Sequence, residues 1–138
     1  MSTVLVVADQ PEIRQRLCHI YLQGGYIVVE ADDAVAALDM AQTTPIHTAI
    51  LSLKQPAAAL TACSNLTHTL KIPVIYVAHD DSAIDAALDA GAAHVVVDLH
   101  SRLLLHCTQT ILDAYQTVTQ RQLTGALRDT AAILNSTL

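Results

Sequence analysis

The sequence predicts an α/β fold, a doubly wound five-stranded parallel sheet, and two observations carry that prediction. Five apolar runs of strand length, Thr3 to Ala8, Tyr26 to Glu30, Thr48 to Leu53, Pro73 to Ala78 and His94 to Asp98, alternate with segments whose apolar residues recur at helical spacing. The runs are rich in Val and Ile and are apolar at consecutive rather than alternate positions, as strands covered on both faces require. Right-handed crossovers then set helices on both sides of the sheet, and ligands gather at the carboxyl ends of the strands.

Each helix has its own periodic set and its own punctuation. Ile13, Leu17, Ile20 and Tyr21 mark the first, which Gly24 and Gly25 end; Val35, Leu38 and Ala41 mark the second, with Asp32 or Asp33 as its cap. Leu60, Cys63, Leu66 and Leu70 mark the third. Ile84, Ala87 and Leu88 mark the fourth, with Asp80 or Asp81 as cap and Gly91 closing it. From Ser101 to Leu138 there is no proline and one glycine, Gly125, so the spacing predicts an extended C-terminal helix of roughly 55 Å. Past Tyr115, Leu123, Leu127 and Leu134, with Thr130 between, follow the 4-3-4 spacing of a coiled-coil seam over barely two heptads; the competing reading is a helix that frays beyond the domain. The expected organisation is a domain over 1–118 and a helical linker over 119–138.

Composition narrows the function classes. The chain has 138 residues, 52% of them hydrophobic, yet no Phe and no Trp, so Ala, Val, Ile and Leu must build the core. A formal charge of −6 with no cluster of Lys and Arg argues against a nucleic-acid surface. No stretch approaches the roughly 20 apolar residues that span a bilayer, and MSTVLVVADQ has no basic segment before its apolar run. The chain reads as cytoplasmic. Cys18, Cys63 and Cys107 are an odd number without close pairing and read as small buried hydrophobes; Cys18 and Cys107 fall on helices that share one face of such a sheet.

The residues at the strand ends carry the functional reading. They are Ala8, Asp9 and Gln10 after the first strand, Ser52 at the third, Ala78 and His79 at the fourth and Asp98 at the fifth. In their setting, VLVVADQPEIRQRL, GGYIVVEADDAVAAL, TAILSLKQP and IPVIYVAHDDSAIDAALDAGAAHVVVDLH, the chain resembles the receiver domain of two-component response regulators over residues 2 to 118. The resemblance implies a flavodoxin-like (βα)5 sheet with strand order 2-1-3-4-5. It also implies a site where an aspartate ending the third strand takes a phosphoryl group from a histidine kinase. Two acidic residues after the first strand hold Mg²⁺, a Thr or Ser follows the fourth strand, and a Lys ends the fifth.

Carried across, that machinery is degenerate here. The acidic pair is Ala8 and Asp9, the phosphoacceptor position is Ser52, the hydroxyl position is Ala78, the lysine position is Asp98, and the aromatic switch position is Val95. A serine hydroxyl is a weak nucleophile without a base, and one carboxylate at Asp9 with a second at Asp98 is no Mg²⁺ cage. Asp98 also sets a negative charge where an ammonium would meet a phosphoryl oxygen.

The expectation is therefore a non-phosphorylatable receiver domain with no catalytic residue, no metal and no cofactor. It would act as a protein-interaction module in a phosphorelay, as the N-terminal part of a signal transduction histidine kinase whose enzyme activity lies elsewhere. The resemblance implies a partner or homodimer face on the fourth helix, fifth strand and fifth helix, with Ala87, Val95, Leu103, Leu104 and Ile111 on it. The alternative is a small-molecule or ion sensor whose cleft is lined by Asp9, Ser52, His79 and Asp98. His79 and His100 beside those carboxylates would be its transition-metal variant, without ligand spacing to back it. Residual phosphotransfer to Ser52 ranks last.

Sedimentation of the whole chain beside a version ending near residue 118 checks the linker: a dimer that dissociates on removal of 119–138 assigns the seam, and two monomers dismiss it.

Overall fold

The computed structural model describes residues 2–79, 81–97 and 99–114. Strand β1 (Thr3–Ala8) leads into helix α1 (Pro11–Gln23). Then follow β2 (Ile27–Ala31), α2 (Ala34–Thr43), β3 (Thr48–Ser52), α3 (Pro56–Ser64), β4 (Val74–Val77), α4 (Ile84–Asp89) and β5 (His94–Val96). Residues 101–114 are helical and form α5. All strand pairs are parallel and the order is β2-β1-β3-β4-β5. The first strand starts the crossovers to both sides, as doubly wound sheets do.

Side chains alternate between two cores. Leu5, Val7, Ala49, Leu51, Val74 and Tyr76 point to a layer completed by Ala37 of α2, Ala59, Ala62 and Cys63 of α3 and Ala87 of α4. Val4, Val6, Ile50, Ile75, Val77 and Val96 point the other way, onto Leu17, Cys18, Ile20 and Tyr21 of α1 and Leu104, Cys107 and Ile111 of α5. Val4 to Ala8 are 0% exposed. Burying a Val or Leu side chain contributes about 1.5–3 kcal/mol, so these central strands dominate the stability.

Polar contacts fix the helices on this sheet. Asp33 caps α2 by accepting the Ala36 N–H at 2.7 Å. Tyr21, wholly buried, sits 2.9 Å from Thr108 Oγ1; the Thr108 hydroxyl donates to the Leu104 carbonyl at 2.8 Å, which leaves the Tyr21 hydroxyl as donor between α1 and α5. Burial pushes the Tyr21 phenol well above its ordinary pKa. Helix α3 runs on into a π-helical turn, Asn65–Thr69, where the Thr67 hydroxyl reaches the Cys63 carbonyl at 2.8 Å and the Ala90 carbonyl at 3.1 Å. Gly91 follows with φ +104, and a Cβ there would lie 2.6 Å from Thr67 Oγ1, so both backbone and space demand glycine.

The structure differs from the sequence expectation in places. Asp81 does not cap α4: it opens a 3-10 turn, Asp81–Ala83, and Ala83 precedes α4 without a side-chain cap. Strand β2 begins one residue later than the apolar run, because the Tyr26 ring packs edge-on to Tyr21 at 5.7 Å. Ala87, Leu104 and Ile111 lie in the cores rather than on a partner face: the short α4 turns Ala87 onto the sheet, and α5 turns Leu104 and Ile111 onto it. Asp98, the linker 119–138 and the seam residues Leu123, Leu127 and Leu134 lie outside the described residues.

Replacing Tyr21 with Phe removes the α1–α5 hydrogen bond and strands the Thr108 acceptor; a loss of about 1 kcal/mol, read as a Tm drop of roughly 3–4 °C, is expected in thermal unfolding.

Candidate functional site

The carboxyl edge of the sheet gathers the expected positions. Parallel pairing sets Ala8 opposite Ser52, and Leu51 opposite Tyr76 makes Val77 the neighbour of Ser52 on the other side; Val77 in turn pairs with Val96. One row across the sheet therefore reads Ala8, Ser52, Val77, Val96, a single hydroxyl among apolar side chains. Ser52 is 1% exposed, and its Oγ has no hydrogen-bond partner among the described residues. Leaving a hydroxyl unpaired in such surroundings costs about 1–3 kcal/mol.

Asp9 is exposed, and its role here is local. Its Oδ2 accepts the Lys54 backbone N–H at 3.0 Å, tying the loop after β1 to the loop after β3. From the second turn of α1, Arg14 donates Nη1 to the Ala8 carbonyl at 2.9 Å and reaches Glu30 at 3.8 Å. A guanidinium thus holds the end of β1 where the neighbouring position offers only a methyl group. Ala78 is buried, its N–H bonded to the Val96 carbonyl at 2.8 Å.

The donor set among the described residues does not fit Mg²⁺. A hard dication takes several oxygen ligands, and here Ala8 supplies no side-chain oxygen, the Ser52 hydroxyl is enclosed, and Asp9 holds the loop. Among the described residues no group of three or more His, Cys, Asp or Glu side chains converges on a point. His100 Nδ1 accepts the Leu103 N–H at 3.3 Å at the start of α5.

Of the residues expected to line a ligand cleft, Ser52 and His79 lie on different sides of the sheet. Ser52 faces the α1/α5 layer, while exposed His79 borders a recess of about 230 Å³ on the α3/α4 side, lined also by Leu53, Lys54 and Tyr76. Sequence carries no signal for Lys54 or Arg14, because each reads as one solvated charge; the approach of the loops after β1 and β3 gives Lys54 its contact, and the packing of α1 beside β1 and β2 gives Arg14 its own.

The thiols are buried. Burial, with the Glu30 carboxylate adding to it, pushes the Cys18 thiol up to about 12, and burial pushes Cys63 up to about 11 and raises Cys107. They stay protonated at neutral pH and pack as small apolar groups. On the face of α4, β5 and α5, Leu88 is 50% exposed, Val97 48% and Leu103 43%, while Val95 is half-buried.

Replacing Ser52 with Ala removes the orphaned hydroxyl and is expected to raise stability by about 1 kcal/mol in urea unfolding, whereas Ser52→Asp, which buries a charge among Ala8, Val77 and Val96, lowers it by several kcal/mol. The opposite order reveals a partner for the Ser52 position.

No protein-family description and no curated relative matches the chain. Solved structures do. The chemotaxis protein CheY4 of Vibrio cholerae is 24% identical over 81% of this chain and 99% of its own, with a TM-score of 0.71. A CheY-like response regulator receiver domain from Methanospirillum hungatei is 20% identical over 85% and 98%, with a TM-score of 0.77. The signal receiver domain of a signal transduction histidine kinase from Syntrophus aciditrophicus is 21% identical over 83% and 92%, with a TM-score of 0.72. The chain has the fold of the response regulator receiver domains, a flavodoxin-like sheet in the order 2-1-3-4-5.

Proposed function

We propose that the chain is a degenerate receiver domain that takes no phosphoryl group and serves two-component signalling through protein contact. The observation that carries this reading is the enclosure of Ser52. A phosphodonor must bring phosphorus in line with the attacking oxygen, and an oxygen 1% exposed between Ala8 and Val77 offers no approach. No base within hydrogen-bond reach among the described residues activates it, and the local carboxylate set is unsuited to Mg²⁺.

What remains is surface. Leu88, Val97 and Leu103, one from each of three consecutive segments, supply exposed apolar area beside β5, an edge strand. A protein partner or a second copy docking there would cover them, with half-buried Val95 at the seam of the patch. Ala87, Leu104 and Ile111 would act from beneath, holding α4 and α5 in place. In a longer protein, α5 leads to whatever module follows, and a histidine kinase of the kind to which the Syntrophus aciditrophicus domain belongs is the parent this reading favours. A cytoplasmic location follows from that role, and catalysis would belong to the parent and not to this domain.

Incubation with acetyl phosphate and Mg²⁺ tests the reading directly. No label and no change in Tm are expected. Labelling that disappears in Ser52→Ala overturns it.

A further inference from the structure

On the face of the sheet opposite Ser52, between the start of α3 and the turn that enters α4, lies the recess of about 230 Å³. Its floor is apolar: Leu53 and Tyr76 are buried in the core beneath it, and Leu60 and Ala86 wall it from α3 and α4. Two exposed nitrogen-bearing side chains, Lys54 and His79, stand at its edge. Among the described residues no carboxylate oxygen lies within 4 Å of the Lys54 ammonium, and Asp9 Oδ2 accepts from the Lys54 backbone instead. A cation with no acidic partner among the described residues therefore borders an apolar hollow.

We propose that this recess binds a small organic monocarboxylate, its apolar body on Leu53, Leu60, Tyr76 and Ala86 and its carboxylate on Lys54 and His79. The volume sets the size. It is below the roughly 300–1,000 Å³ of drug-sized sites and suits a single ring or a short branched chain. The charge sets the class: one ammonium and one imidazole N–H match a monoanion, while an inorganic phosphate would leave the apolar floor unused and its own oxygens short of donors. The site owes nothing to the chemistry of Ser52, so it stands or falls separately from the proposed function.

The test uses the full chain and benzoate, followed by amide NMR shifts at Lys54, His79 and Ala86, with benzamide and inorganic phosphate as comparison probes. Benzoate is expected to bind saturably, at least about tenfold more tightly than benzamide. Lys54→Ala, a surface change, is expected to weaken benzoate about tenfold and leave benzamide alone. Ala86→Leu, which fills the recess, is expected to abolish binding of both with the circular dichroism spectrum unchanged. Benzoate that shows no saturation by about 10 mM, phosphate that produces the same shifts, or equal benzoate affinity in Lys54→Ala overturns the proposal. None of these measurements involves Mg²⁺ or a phosphodonor, so their failure is distinct from that of the phosphorylation reading.

Discussion

Burial of β1, β3 and β4 on both faces is the constraint from which the rest of the molecule follows. With Val4 to Ala8 and Thr48 to Ser52 removed from solvent, successive side chains must satisfy two different helix layers. Odd positions of β1 and β3 pack on α2, α3 and α4, even positions on α1 and α5. A shift of one residue would exchange the layers, so register is strongly specified. The absence of Phe and Trp suits this arrangement, since Ala59, Ala62, Ala87 and the Val and Ile of the strands let the helices lie close to the sheet.

The same constraint decides what the carboxyl edge can do. In a parallel sheet the last residue of a central strand has two strand neighbours as well as the helices above and below. Ser52 meets Ala8 and Val77 there, and among the described residues no side chain hydrogen-bonds its hydroxyl. Apolar and small residues close the edge that charged residues would hold open. The polar groups that remain serve the loops: Asp9 binds the Lys54 backbone, and Arg14 binds the Ala8 carbonyl and Glu30. Their electrostatics are turned toward holding β1 and β3 in place.

With its edge closed, the domain offers two distinct surfaces. One is the apolar area beside β5, to which Leu88, Val97 and Leu103 contribute exposed side chains. The other is the recess between α3 and α4, where the exposed Lys54 borders an apolar floor. They differ in chemistry because they arise differently: the first from the exposed sides of short elements around an edge strand, the second from imperfect packing of α3 against α4. A π-helical turn follows α3 and a 3-10 turn precedes α4, and the Thr67 hydroxyl joins the far ends of the two helices by donating to the Ala90 carbonyl.

Much of this was legible in the sequence because it rests on local pattern. Runs of consecutive Val and Ile of strand length fit strands covered on both sides, as β1, β3 and β4 are, whereas β2 at the sheet edge stays partly exposed, and helical spacing with Gly24, Asp33 and Gly91 marks where helices begin and end. The identities at Ala8, Ser52 and Ala78 likewise declared that these three edge positions carry no carboxylate and one hydroxyl. Tertiary structure alone decided the rest, since it depends on which face a residue turns inward. It sent Ala87, Leu104 and Ile111 into the cores and left Leu88 and Leu103 outside, a choice that helical spacing leaves open by one or two residues. It also set His79 at the recess on the α3/α4 side, away from Ser52, because His79 lies past the end of β4 where strand alternation no longer fixes its direction, and it joined Lys54 to Asp9, residues that only the pairing of β1 with β3 brings together.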